Sequence, residues 1–231
     1  MADKSNAISA IPQLLEVLAL KGCIVTIDAM GCQKGIAQKI VDAEADYLLA
    51  LKANQGDFHH EAVALFTYAA KLDFHTVRHD HHTTIEKDHG RIEIRTCWTV
   101  DDPLFLLALP DHAKWPNLRT LVKVEAERRL SGKTQRESRY YITSLPSDAA
   151  KVLQTLRTHW SIENQLHWVL DVAFREDDSR VRLGDASQNF AILRHMALNL
   201  LTQESSLKGG IHTKRLKAAW DHSYLLKVLH H

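Results

Sequence analysis

Between residues 8 and 56 the hydrophobic period switches repeatedly between helix and strand, and no other feature limits the fold as strongly. "ISAIPQLLEVLAL" (8–20) carries Ile8, Ile11, Leu14, Leu15 and Leu18 at helical spacing, with Pro12 in its first turns. Gly22 stops that helix. Ile24, Val25, Thr26 and Ile27 then form a short β-branched run ending at Asp28, the pattern of a buried strand. "CQKGIAQKIVDAEA" (32–45) returns to helical period through Ile36, Ile40 and Val41. "DYLLALKANQG" (46–56) reads as a second apolar strand that ends in Lys52, Asn54 and Gln55. Helix, strand, helix and strand in so short a span predict an α/β fold with the two strands parallel.

The pattern changes after Gly56. "DFHHEAVALFTYAAKL" is helical in period. "TTIEKDHGRIEIRTCWTV" and "LRTLVKVEAERRLSGKTQRESRYYITSL" alternate around glycine-containing turns, so residues 72–145 are expected to be mainly antiparallel strands. From Asp148 onward the period is helical again. No low-complexity linker or internal repeat divides the chain. The expectation is one α/β domain over 1–231, a β-rich insertion at 57–145, and C-terminal helices over 148–231.

Composition removes several classes. The formal net charge is +1, so bulk charge offers no argument for nucleic acid, and any such argument must come from local patches. No apolar run approaches the roughly 18 residues needed to span a bilayer. "MADKSNAISAIPQLL" lacks the basic start and apolar stretch of a signal peptide. Cys23, Cys32 and Cys97 are too few for a disulfide framework and fit a reducing cytoplasm. The chain holds 15 histidines, several in "FHTVRHDHHTTIEKDHGR" (74–91). Their spacing selects no metal geometry and reads first as a solvated polar loop or strand.

Two carboxylates stand out. "LRTHWSIENQLHWVLDVAFRED" (156–177) reads as one long helix with His159, Glu163, His167 and Asp171 at every fourth position. At 3.6 residues per turn that stripe drifts only ~40° per step. Trp160 and Ile162 are expected to pack on the sheet, with Trp160, Trp168 and Phe174 anchoring the helix. Glu163 has two readings, a structural partner of His159 or His167, or a metal ligand. His159, Glu163 and His167 could also hold Zn²⁺ from consecutive turns, although the glutamate that a zincin places beside its first histidine is missing. Asp28 ends a strand, where open α/β sheets bind ligands, but a strand-end Asp also caps the next helix. Taken together, a strand-end carboxylate and a helix carboxylate suit Mg²⁺, which uses one or two protein carboxylates plus substrate phosphates.

"IVTIDAMGCQKGIAQKIVDAEADYLLALKANQ" and "LRTHWSIENQLHWVLDVAFREDDSRVRLGDASQNFAILRHMALNLL" resemble the H-repeat-associated proteins of Rhs elements. These belong to a family of insertion-sequence transposases with a DDE catalytic triad. The likeness covers essentially the whole chain and includes "HGRIEIR" (89–95). It implies an RNase H-like fold with a β-rich insertion before the last catalytic helix. It also implies that Asp28 and Glu163 are catalytic ligands of Mg²⁺ or Mn²⁺. His159, His167, Asp171, Lys52 and Asn54 are expected to support them. The wider group carries a Tyr-x2-Arg-x3-Glu-x6-Lys pattern, and here those positions hold Leu156, His159, Glu163 and Leu170. Only 27 residues precede Asp28, with Asp3 in a polar terminus. The resemblance therefore implies an N-terminal truncation that removes the strand bearing the first triad Asp and leaves the RNase H-like sheet incomplete.

The implied partner is DNA at transposon ends. Candidate phosphate contacts are Arg128, Arg129, Lys133 and Arg136 around "RRLSGKTQR", plus Lys214 and Arg215. Self-association through an open sheet edge is a further expectation, and a membrane is not an expected partner. The leading reading is a DDE transposase-like protein, inactive in this truncated form. Two alternatives stay open: a catalytically dead DNA-binding or protein-interaction remnant, and a His/carboxylate zinc protein.

Overall fold

The computed structural model describes residues 7–88, 90–130 and 133–230. Asp3, His89, Ser131 and Gly132 lie outside the described residues, and so does the Glu163 side chain. The chain divides into two compact units, residues 1–157 and 158–231.

The first unit opens with the expected alternation. Helix α1 (Ala7–Val17) leads to strand β1 (Ile24–Ile27), helix α2 (Lys34–Asp42), strand β2 (Asp46–Leu51) and helix α3 (Gly56–Lys71). β1 and β2 pair in parallel, with Thr26 opposite Leu48. α2 supplies the crossover that a parallel pair requires. Four long strands follow: β3 (His79–Asp88), β4 (Arg91–Val100), β5 (Thr120–Leu130) and β6 (Lys133–Thr143). They run antiparallel in sequence order, as the alternation between 72 and 145 predicts. A short helix, α4 (Pro103–Ala108), interrupts them. β6 then pairs antiparallel with β2, Ile142 opposite Leu49. The sheet order is β1-β2-β6-β5-β4-β3, so the antiparallel strands extend the α/β sheet itself.

Side-chain alternation along the strands sorts the core into two layers. Tyr47, Leu49, Leu51, Leu121 and Ile142 face one way, onto Ile36 and Ile40 of α2 and Phe58, Ala62 and Phe66 of α3. Leu48, Val122, Val124 and Tyr141 face the other way, onto Ala149, Val152, Leu153 and Leu156 of helix α5 (Ala149–Ile162). Asp80 Oδ2 accepts the Ala149 N–H (2.8 Å), and Asp148 Oδ1 accepts the Lys151 N–H (2.9 Å), which fixes the start of α5. Further along, Arg157 of α5 pairs with Glu86 of β3 (2.5 Å).

The expected single helix over 156–177 is a composite. α5 ends at Ile162, Glu163–His167 winds as a π-helix, and α6 covers Trp168–Phe174 before Arg175 turns left-handed at φ 53°. A π turn closes i→i+5 bonds, so the four-residue stripe arithmetic of a uniform α-helix does not carry across it.

In the second unit α6 is followed by α7 (Ala186–Gln203), α8 (Ile211–Trp220) and α9 (His222–Leu229). Leu201, Tyr224 and Val228 form its small core, with Phe174 packed against it. Glu204, 1% exposed, ties this unit together. Its Oε2 accepts the Tyr224 hydroxyl (2.7 Å) and its Oε1 the Ser206 N–H (2.7 Å). Hydrogen bonds from the Ser206 hydroxyl, then from the Tyr224 hydroxyl, and lastly from the Ser206 and Leu207 N–H groups hold the carboxyl down at about 2. Asp221 ends α8 and caps α9 through the Tyr224 N–H (3.0 Å).

Candidate functional site

Asp28 sits where β1 ends, and its cap geometry is local. Its φ of −69° and ψ of 177° keep it extended. Its Oδ1 accepts the N–H groups of Met30 (3.2 Å) and Gly31 (3.4 Å), capping a 3₁₀ turn over Ala29–Gly31. The capping reading of Asp28 is therefore realised. The carboxylate is also exposed, and among the described residues its Oδ2 has no protein partner. One oxygen is held and the other is open to solvent. A hard divalent cation prefers such a donor, so the residue fits part of a metal site.

The end of β2 braces this loop. Asn54 Nδ2 donates to the Ala29 carbonyl (2.7 Å), and Gln55 Nε2 donates to the Cys32 carbonyl (2.7 Å). Both belong to the 3₁₀ turn over Ala53–Gln55, for which Lys52 is the N-cap residue. Two parallel strands thus deliver two adjacent loops, and side chains of the second fix the backbone of the first. Gly31 is required by the packing beneath. A Cβ there would lie 2.3 Å from Ile27 Cγ2 and 3.1 Å from Ile11 Cδ1. The Cys32 thiol is fully buried, and that burial pushes it up to about 12, so it stays neutral. Asn54 was expected from the sequence. Gln55, its neighbour at the same strand end, and Gly31 were not, because their roles depend on which loop lies across from them.

Glu163 opens the π turn in the second unit. π turns inside α-helices occur often at functional sites. His159 is half-buried on α5, whereas His167 and Asp171 are exposed. The aromatic expectations need correction. Trp168 is 61% exposed and Ile162 is 50% exposed, so neither is a buried anchor. Ile162 lies six residues beyond Leu156, about 240° round the helix, and so faces away from the buried stripe. Phe174 packs against the small core of the C-terminal helices. Among the described residues, no group of three or more His, Cys, Asp or Glu side chains is gathered to hold a metal.

The basic candidates divide in the same way. Lys214 is 8% exposed, and its ammonium donates to the carbonyls of Leu201 (3.0 Å) and Glu204 (2.5 Å). It closes the end of α7 and is not available to DNA. The Arg215 guanidinium lies 5.8 Å from the Phe174 ring and is half-buried. Arg129 and Arg136 both pair with Glu127, at 2.5 and 2.7 Å. Their hydrogen bonds, that from Arg136 first, hold the Glu127 carboxyl below its usual range. Arg128 and Lys133 have no ion pair among the described residues and are exposed at the far end of the β5–β6 hairpin.

A carboxylate thus stands at the carboxyl end of a parallel strand, braced by the next strand's loop, which is the position where open α/β sheets commonly bind ligands. Residues 2–200 match the transposase DDE domain, and the chain belongs to that family. It is 40% identical over 231 residues to the H repeat-associated putative transposase YhhI of Escherichia coli K12, covering 98% of this chain and 60% of that protein. Putative protein YbfL of the same strain is 41% identical over 230 residues, with the same coverages. Putative transposase YncI of Escherichia coli O157:H7 is 41% identical over 233 residues, covering 98% of this chain and 57% of YncI. The chain thus spans about three-fifths of the length of these relatives. Among the described residues, no helix is long and apolar enough to cross a membrane.

Proposed function

We propose that this chain is an RNase H-like transposase domain of an insertion sequence, built to work on DNA phosphodiesters with Asp28 and Glu163 as ligands of Mg²⁺ or Mn²⁺. The observation that carries this reading is the Asp28 carboxylate, with Oδ1 pinned by two N–H groups and Oδ2 open to solvent beyond β1. The family match supports it. Bound divalent ions supply water activation and stabilisation of the leaving oxygen. The chain's own residues hold and orient. Asp28 offers its open Oδ2 while Oδ1 is pinned by the cap, Asn54 and Gln55 keep its loop in place, and Glu163 supplies a second carboxylate from the π turn. His159, His167 and Asp171 orient that turn or meet phosphate. Arg128 and Lys133, with the Arg129 and Arg136 pairs behind them, meet the DNA backbone.

Cleavage and strand transfer belong in this proposal to proteins of the relatives' full length. The cap at Asp28 favours one second reading, a DNA-binding remnant in which that carboxylate is purely structural. Mn²⁺ binding followed by electron paramagnetic resonance separates the two. Weak binding that both Asp28→Asn and Glu163→Gln diminish supports the transposase reading. Binding indifferent to both substitutions refutes the ligand assignment. Glu163-dependent cleavage of a transposon end by this chain with Mg²⁺ would show that another residue, such as Asp57 or Asp171, completes the triad.

A further inference from the structure

β6 outruns its neighbour. β2 ends at Leu51, opposite Tyr140, whereas β6 begins seven residues earlier at Lys133. At this step lies a cavity of about 270 Å³ whose lining includes Lys52, His59, Glu137, Ser138, Arg139 and Tyr140. Its main-chain polarity follows from the strand. The Ser144 N–H donates to the Tyr47 carbonyl (3.3 Å), so the even-numbered residues of β6 turn their backbone toward the β2 side. Backbone direction alternates along an antiparallel strand. Ser138 therefore directs both its N–H and its C=O at the notch, beyond the last residue of β2.

Arg139 holds Glu137 through two bonds of 2.7 and 2.9 Å, so this lining pair is charge-neutral. Lys52 is exposed and makes no ion pair within salt-bridge distance among the described residues, although its charge is felt by Glu137, so the lining carries one positive charge beyond the Arg139–Glu137 pair. His59 stands in the first turns of the 16-residue α3, where the helix dipole is positive, with its ring edge-on to Tyr140 at 5.6 Å. The notch also adjoins the Asp28 loop, because Asn54 of the same turn that Lys52 caps donates to Ala29.

We propose that this notch is a phosphodiester subsite, in which Lys52, His59 and the Ser138 N–H hold a backbone phosphate of the DNA strand that passes Asp28. The assignment rests on the transposase reading for the identity of the strand, but the anion site has its own test. The full 231-residue chain is labelled at histidine with ¹⁵N, and His59 is assigned through His59→Gln. Its resonance is followed on titration with a thymidine dinucleotide and, separately, with inorganic phosphate. Binding of a fluorescein-labelled 20-base-pair duplex (a length of about two helical turns) is measured alongside by anisotropy. The dinucleotide is expected to shift His59 saturably, and Lys52→Gln to weaken that binding about tenfold. Lys71→Gln, at the far end of α3, serves as the control and leaves it unchanged. A His59 shift with the dinucleotide but no duplex binding supports the subsite and counts against the transposase reading. Duplex binding that Lys52→Gln and His59→Gln leave intact, with His59 unmoved by the dinucleotide, overturns the subsite and leaves the transposase reading standing. A response to inorganic phosphate alone also overturns it.

Discussion

Gly31→Ala tests whether the Asp28 loop is set by packing beneath it. The added Cβ would stand 2.3 Å from Ile27 Cγ2, well inside van der Waals contact. That methyl hangs on a β-branched carbon and cannot swing aside without rotating χ1. The second close atom, Ile11 Cδ1 at 3.1 Å, is the end of a flexible side chain and yields more easily. Overpacking of this kind costs about 1–3 kcal/mol. Urea denaturation followed by circular dichroism should show a lower midpoint at an unchanged slope. The reasoning is sharpened by a second background. Gly31 Cβ would be 3.5 Å from Ile27 Cβ, an ordinary contact, so Ile27→Ala removes the clash. Ile27 is half-buried, and its truncation alone should cost about 2 kcal/mol, the low end for such changes. In that background Gly31→Ala should cost less than about 0.5 kcal/mol, a coupling that a double-mutant cycle reads directly. Equal costs in the two backgrounds would refute the steric account. The Gly31→Ala protein should also lose Mn²⁺ affinity, since the N–H groups that hold Asp28 Oδ1 belong to Met30 and Gly31.

Glu204 should give the fold an acid-sensitive component. Its folded carboxyl stands at about 2 against an ordinary 4.5, so its contribution is complete above about 4.5 and is lost as pH falls toward 2. Thermal melts from pH 6 to 2.5 should show a steeper acid loss in the parent than in Glu204→Gln, and identical slopes would refute this. Lys214→Met should lower stability by about 1–3 kcal/mol by stranding two carbonyls, while duplex affinity and its salt slope stay unchanged. Arg128→Ala with Lys133→Ala should do the reverse, leaving stability intact and reducing the salt slope by up to about 1.8. If Lys214→Met instead lowers the salt slope, the burial argument is wrong.

What the sequence determined by itself is largely what depends on local period. Switching between helical and strand spacing was enough to place α1, β1, α2 and β2 and to make the pair parallel, because both signals lie within a few residues. The positions of Asp28, Lys52, Asn54 and Gln55 at strand ends were legible for the same reason, as polar residues closing apolar runs. Glu163 was reached through resemblance and an idealised helix, and the helix turned out to contain a π turn that no four-residue count predicts. Tertiary structure alone decided which charges are free. Lys214 and Arg128 look equivalent as letters, yet one ammonium is closed under α7 and the other group stands open at a hairpin end. It also decided that β6 returns against β2, which joins residues nearly a hundred apart and leaves the notch beside Lys52. Local propensity carries no information about pairings over that distance. They follow from burial of the alternate faces of one sheet, which exists only once all its strands are assembled.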